Sequence, residues 1–157
     1  MSDDAGPTIE RPLVLLLNGP NLNLLGDREP ELYGTTLLGE MVEDAVATAA
    51  GHGLRLQHVQ SNHEGVLVDA IHAHRTHAAA IIINAGAFTH YAWSIHDALA
   101  AYDGVVVELH ISNPQSREPW RGTSVVAPVA TATISGLGPA GYSFAVDAVA
   151  HLLGGRE

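Results

Sequence analysis

Cysteine and lysine are both absent from this chain of 157 residues. Without cysteine there are no disulfides, thiol nucleophiles, thiolate metal sites or thiol redox chemistry. Without lysine there is no imine-forming amine, no pyridoxal phosphate anchor and no phosphate-loop lysine. Positive charge is confined to seven arginines (Arg11, Arg28, Arg55, Arg75, Arg117, Arg121 and Arg156) against 17 acidic residues, a formal charge of −10. A field of that sign repels phosphate backbones, so nucleic acid is not expected as a partner. No apolar run approaches the roughly 18 residues of a membrane span. The stretch Met1 to Pro12 is polar and lacks the apolar core of a signal peptide, so a cytoplasmic protein without membrane contact is expected.

What is abundant is apolar residues, 46% against 15% charged, which excludes a disordered chain. The length is that of one domain able to bury a sizeable core. Residues 1–12 read as a flexible tail and 13–157 as that domain. Leu13 to Leu17 is an unbroken apolar run of strand length, stopped by the Gly/Pro/Asn cluster from Asn18 to Asn23, and a long irregular stretch then reaches Thr36. Loops of that length inside a compact domain are usually functional. Apolar residues at helical spacing run from Leu37 to Ala49 and end at Gly51 and Gly53. Strands follow at Leu54–Gln60, Ala79–Ile83, Val105–Leu109 and Ala130–Ser135, with helices at Glu64–His77, Trp93–Tyr102 and Pro139–Leu153. Alternation of this kind predicts an α/β protein, a flavodoxin-like doubly wound five-stranded parallel sheet with helices on both faces.

In such sheets ligands sit beyond the carboxyl ends of the strands. Each of the first four strands ends in polar residues: Asn18 to Asn23 with Arg28 and Tyr33; Gln60 to Glu64; Asn84 to His90; Glu108 to Asn113 with Arg117 and Arg121. One such cluster is an ordinary Asn-rich turn. Four at the same edge are better explained by a pocket. It would hold a phenol with a guanidinium nearby (Tyr33, Arg28), the imidazoles His90 and His110, and neutral amides. A guanidinium within about 4–6 Å favours a phenolate, which can take a proton from carbon beside a carbonyl, while an imidazolium returns one to a departing hydroxyl. These parts fit a metal-free elimination of water from a small hydroxy-acid ketone.

Other signals are weaker. Gly136 to Gly141 matches G-x-G-x-x-G between a strand and a helix, but no further strand follows it, so it reads as a tight turn rather than a phosphate cradle. His72, His74 and His77 suggest a metal, yet residues two apart on a helix point about 200° apart, and no H-E-x-x-H is present. Gly141 to Ala145 falls short of a nucleophile elbow. His52 and His151 lie near predicted helix C-termini, where an imidazolium suits the dipole.

Six stretches in order carry a resemblance: Leu17 to Asp27 (LNGPNLNLLGD), Arg28 to Gly34 (REPELYG), Gln60 to His72 (QSNHEGVLVDAIH), Asn84 to His90 (NAGAFTH), Val107 to Ser112 (VELHIS) and Arg117 to Arg121 (REPWR). Together the chain resembles the type II 3-dehydroquinate dehydratases from Leu13 to Leu153. The resemblance implies dehydration of 3-dehydroquinate to 3-dehydroshikimate by a single catalytic domain, without cofactor or metal. It implies Tyr33 as the base at C2, Arg28 keeping it ionised, Asn21 holding a water at the enolate, and His110 as the acid oriented by Glu108. Asn84 and the backbone of Ile111 and Ser112 would hold the carboxylate, His90 and Arg121 ring hydroxyls. Asp97 would enter from a neighbouring subunit, in trimers packed into a dodecamer. Lysine's absence independently excludes the imine route to the same product.

Tyr91, Trp93, Pro114, Gln115, Gly122 and Thr123 depart from the family pattern, which touches affinity and assembly rather than the chemistry. The alternative reading is a non-catalytic flavodoxin-like module that binds a small anion or a partner protein. The sequence leaves open whether the reaction serves aromatic biosynthesis through the shikimate pathway or quinate breakdown.

Overall fold

The computed structural model describes residues 9–155. Five parallel strands, β1 (Leu13–Asn18), β2 (Arg55–Gln60), β3 (Ala78–Asn84), β4 (Val105–His110) and β5 (Ala132–Ser135), form one sheet in the order β2-β1-β3-β4-β5. This is the flavodoxin-like order, with the chain reversing direction of growth between β1 and β3. The central strands are buried on both faces and mostly apolar, with Glu108 the buried acidic residue among them, whereas the edge strands β2 and β5 have only exposed and half-buried residues.

Alternate residues of the central strands feed two cores. On one face Val14, Leu16, Ile82 and Val107 pack against α2 (Leu38–Gly51) and α5 (Gly141–Gly154) through Met41, Ala45, Tyr142 and Val146. On the other, Leu15, Leu17, Ile81 and Val106 pack against α3 (Glu64–His74) and α4 (Trp93–Ala100) through Leu67, Ile71, Ile95 and Leu99. The α2 stripe begins where the Glu40 carboxylate accepts the Leu37 N–H at 2.7 Å. It ends in a left-handed turn: Gly53 (φ 72°) donates to Ala50 and Leu54 donates to Ala49, a closure that glycine permits without strain.

The stretch expected to be irregular up to Thr36 contains two short ordered pieces, a 3₁₀ turn at Leu22–Leu24 and a one-turn helix, α1 (Pro30–Tyr33). Pro30 opens α1, where its missing N–H costs nothing. Residues 1–8 of the expected tail lie outside the described residues. Within 9–12, Glu10 pairs with Arg55 at 2.9 Å, and the Arg11 and Pro12 carbonyls accept from Arg55. The glycine-rich turn before α5 is occupied by the chain itself, for the Gly136 N–H donates to the His110 and Ser112 carbonyls and the Gly138 N–H to Ile111. Those amides hold the loop after β4 and are not turned to a phosphate.

Candidate active site

The carboxyl ends of β2, β1 and β3 align Gln60, Asn18 and Asn84 side by side. Beyond them the chain must turn, and the turns are braced by side chains. The Gln60 amide donates to the Gly19 carbonyl at 3.1 Å and to the Asn62 side chain at 3.3 Å, while Asn62 accepts the Asn21 N–H at 3.0 Å. Asn21 is thereby held in a left-handed conformation (φ 67°), which asparagine tolerates better than most residues.

A pocket opens to solvent at this edge. Of the residues expected in the site, Asn21, Arg28, Tyr33, Asn84, His90, His110, Ile111, Ser112 and Arg121 all line it. Glu108 stands behind His110 rather than in that wall. Asp97 is exposed on α4 and does not line the pocket of its own chain.

Tyr33, only 7% exposed, hangs from the single turn of α1. Its phenolic oxygen accepts a hydrogen bond from Arg117 Nη1 at 2.6 Å. Arg117 also donates to Ser112 Oγ at 3.2 Å. The guanidinium carbons of Arg28 and Arg117 each lie 5.2 Å from the Tyr33 ring centre. The phenol thus sits between two positive groups. Sequence reasoning placed only Arg28 there; Arg117 was visible merely as another guanidinium in the polar stretch after β4.

On β4, His110 Nε2 meets Glu108 Oε1 at 2.9 Å, and Ser124 Oγ donates to the same carboxylate oxygen at 2.6 Å. Glu108 is 2% exposed, so these contacts replace the water lost by a buried carboxyl group. With Nε2 committed to the carboxylate, Nδ1 is the His110 nitrogen left to exchange a proton. His110 also forms part of the wall of a second, open cleft that Glu108, Ser124 and Thr89 line as well.

His90 makes a 2.6 Å hydrogen bond from Nδ1 to the Thr123 carbonyl. Burial lowers its pKa below the ordinary imidazole range; the Thr123 bond opposes this, and the charges of His110 and Arg121 add to the lowering. A neutral ring whose Nδ1 donates to Thr123 leaves Nε2 as an acceptor, suited to a hydroxyl. Arg121 is held by Glu118 at 2.5 Å, with its guanidinium carbon 4.1 Å from the Trp120 ring centre. The exposed Glu118 carboxyl lies below its usual range, first through the hydrogen bond of its own backbone N–H, then through Arg121, with Arg117 adding the smallest pull.

Residues 12–150 match the family model described as dehydroquinase class II. The chain belongs to that family. Among its relatives is a catabolic 3-dehydroquinase from Pyricularia oryzae, 50% identical over 146 residues, or 92% of this chain and 93% of the relative. A Pseudomonas putida protein named 3-dehydroquinate dehydratase 2 is 48% identical, covering 91% and 96% of the two chains. Among solved structures, type II dehydroquinase from Butyrivibrio crossotus superposes with a TM-score of 0.86 at 38% identity, covering 88% of this chain and 97% of that one.

Proposed function

We propose that this chain removes water from 3-dehydroquinate to give 3-dehydroshikimate, with Tyr33 as base and His110 as acid. The observation that carries the reading is the Tyr33 oxygen held at 2.6 Å by Arg117, in one pocket with the His110–Glu108 pair. Family membership and the names borne by its relatives support the substrate.

In this mechanism the phenolate of Tyr33, facing positive charge from Arg28 and Arg117, takes a proton from C2. The C–H electrons move into an enolate at the adjacent carbonyl, next to Asn21 and a water that it holds. As they return, the C1–oxygen bond breaks, and His110 in its imidazolium form gives a proton from Nδ1 so that the hydroxyl leaves as water. Glu108 fixes the ring through Nε2 and stabilises its charge. One proton is taken and one is given, so the chemistry balances without a redox partner, metal or cofactor. Asn84 with the backbone of Ile111 and Ser112 receives the ring carboxylate, and His90 and Arg121 receive hydroxyls. Asp97 serves the pocket of a neighbouring subunit.

Relatives with catabolic and with plain dehydratase names match about equally well. The proposal is therefore of the reaction, which both uses share. Purified protein mixed with 3-dehydroquinate should develop the enone absorbance of the product. Absence of turnover at micromolar enzyme would overturn the reading in favour of a non-catalytic binding module.

A further inference from the structure

Beneath the pocket Asn84 joins a hydrogen-bonded chain whose other members, Tyr142, Asn18 and His58, the mechanism does not use. Tyr142, on the first turn of α5, is 1% exposed, and its hydroxyl donates to Asn18 Oδ1 at 2.6 Å. The same hydroxyl accepts from Asn84 Nδ2 at 3.0 Å. Asn18, fully buried at the end of β1, donates onward through Nδ2 to His58 Nε2 at 2.9 Å. The Asn84 oxygen takes the Gly86 N–H at 3.3 Å.

Each link constrains the next. A hydroxyl has one hydrogen, and Asn18 takes it; the oxygen lone pair must then face a donor, which selects the nitrogen of the Asn84 amide. That places the amide nitrogen on the Tyr142 side and the amide oxygen toward Gly86. Among the described residues the second N–H of Asn84 has no acceptor, and Asn84 lines the pocket. Were the amide turned over, its oxygen would face the Tyr142 oxygen with no proton between them, a buried clash of acceptors.

We propose that Tyr142 is a positioning residue: through its hydroxyl it holds the Asn84 amide with an N–H, rather than the carbonyl oxygen, presented to the substrate carboxylate. The inference rests on the dehydratase reading for the identity of the carboxylate, but the orientation of the amide stands on the buried chain itself.

Tyr142→Phe keeps the ring and deletes the hydroxyl. KM for 3-dehydroquinate should rise about tenfold, the usual worth of an oriented hydrogen bond to a charged group, while kcat changes less than about threefold. Competition by a cyclic carboxylate should weaken, and competition by its neutral carboxamide should not; a merely loosened core would weaken both alike. In an Asn84→Ala background, Tyr142→Phe should add less than about a twofold change, because the residue through which it acts is gone. Asn18→Ala, which removes the acceptor below the hydroxyl, should reproduce the KM rise. Unchanged KM in Tyr142→Phe, or effects that multiply fully with Asn84→Ala, would overturn the proposal. If the variants do not fold, the wild-type protein crystallised with the cyclic carboxylate decides. The Asn84 nitrogen should contact both the Tyr142 hydroxyl and the carboxylate, and a carboxylate bound away from Asn84 refutes the role. A wild-type protein that binds the carboxylate in this way yet turns over no dehydroquinate would sink the proposed reaction and leave this inference standing.

Discussion

Tyr33 is an ordinary phenol made useful by its neighbours. Two guanidinium groups lie by its ring and one of them touches its oxygen, while Arg28 also pairs with the exposed Glu29 carboxylate at 3.5 Å. Tyr33→Phe keeps the packing and deletes the proposed base, so kcat should fall by about 10²–10⁴ with substrate binding retained. Retention of more than a tenth of wild-type kcat would remove Tyr33 from the role of base. Arg117→Met deletes a charged hydrogen bond to the same oxygen while keeping an unbranched stem of similar reach. A loss of roughly 10- to 100-fold in kcat is expected, from the ~1.5–3 kcal/mol such a bond contributes. Steady-state kinetics that placed the loss wholly in KM would instead make Arg117 a binding group.

At the scale of elements, the site depends on how closely the loops after β1 and β3 approach. The Gly19 N–H donates to the Asn84 carbonyl at 2.8 Å, and a Cβ at Gly19 would lie 2.2 Å from the Ala85 carbonyl oxygen. Backbone cannot yield there as a flexible side chain would, so Gly19→Ala should force the two loops apart, lowering both the melting temperature and kcat/KM. A variant with wild-type melting and activity would show that the loops have slack. The edge strand β2 supplies a pH handle. Burial lowers the pKa of His58, whose Nε2 meets Asn18 Nδ2. A histidine with a depressed folded pKa binds fewer protons folded than unfolded. Its share of stability is therefore present above about pH 6.5 and is lost as pH falls through the folded value. The urea midpoint should drop between pH 7 and 5, and His58→Gln, which keeps an acceptor for Asn18, should flatten that drop. Equal slopes would show that His58 stays neutral in both states or is solvated in both.

The same elements show what a sequence carries and what it hides. Two of the central strands were legible because short unbroken apolar runs bounded by turn residues suit a strand covered on both faces, as Leu13–Leu17 and Ala79–Ile83 are. Most pocket residues were legible because polar groups gathered after strand ends that a parallel sheet must place at one edge. Four residues are too few to show a helical period, so α1 was read as loop. The contact of Arg117 with Tyr33 joins residues 84 apart, and that of Tyr142 with Asn18 joins residues 124 apart. No local pattern encodes either contact. Tyr142 in particular reads as one more apolar position of α5, since only the sheet register reveals where its hydroxyl goes.

For the molecule as a whole, one expected member of the site neither lines the pocket nor, among the described residues, has its side chain hydrogen-bonded to one that does: Asp97 stands apart, whereas Glu108 reaches the pocket through His110. Asp97 is exposed and outside the pocket of its own chain, so if it reaches substrate it does so in another copy. Trp93, 63% exposed, lies four residues before it on α4, and residues at that spacing share one helix face. A second copy that buries Trp93, with the exposed Tyr91 nearby, would draw Asp97 into the same contact. The opposing factor is charge, for every chain brings −10. Repulsion between exposed charges reaches about 30 Å at 0.01 M salt but only about 8 Å at 0.15 M. In the proposed assembly, apolar contact within a trimer would be insensitive to that change, whereas contacts between trimers would weaken at low salt. Sedimentation velocity should therefore find trimers at both salt concentrations and larger assemblies, up to a dodecamer, favoured at the higher one. Trp93→Ser should release monomers and lower kcat/KM together, with Asp97→Ala reproducing the kinetic loss in an intact trimer. A monomer with full activity at assay concentration would refute the shared site, and with it the placement of Asp97.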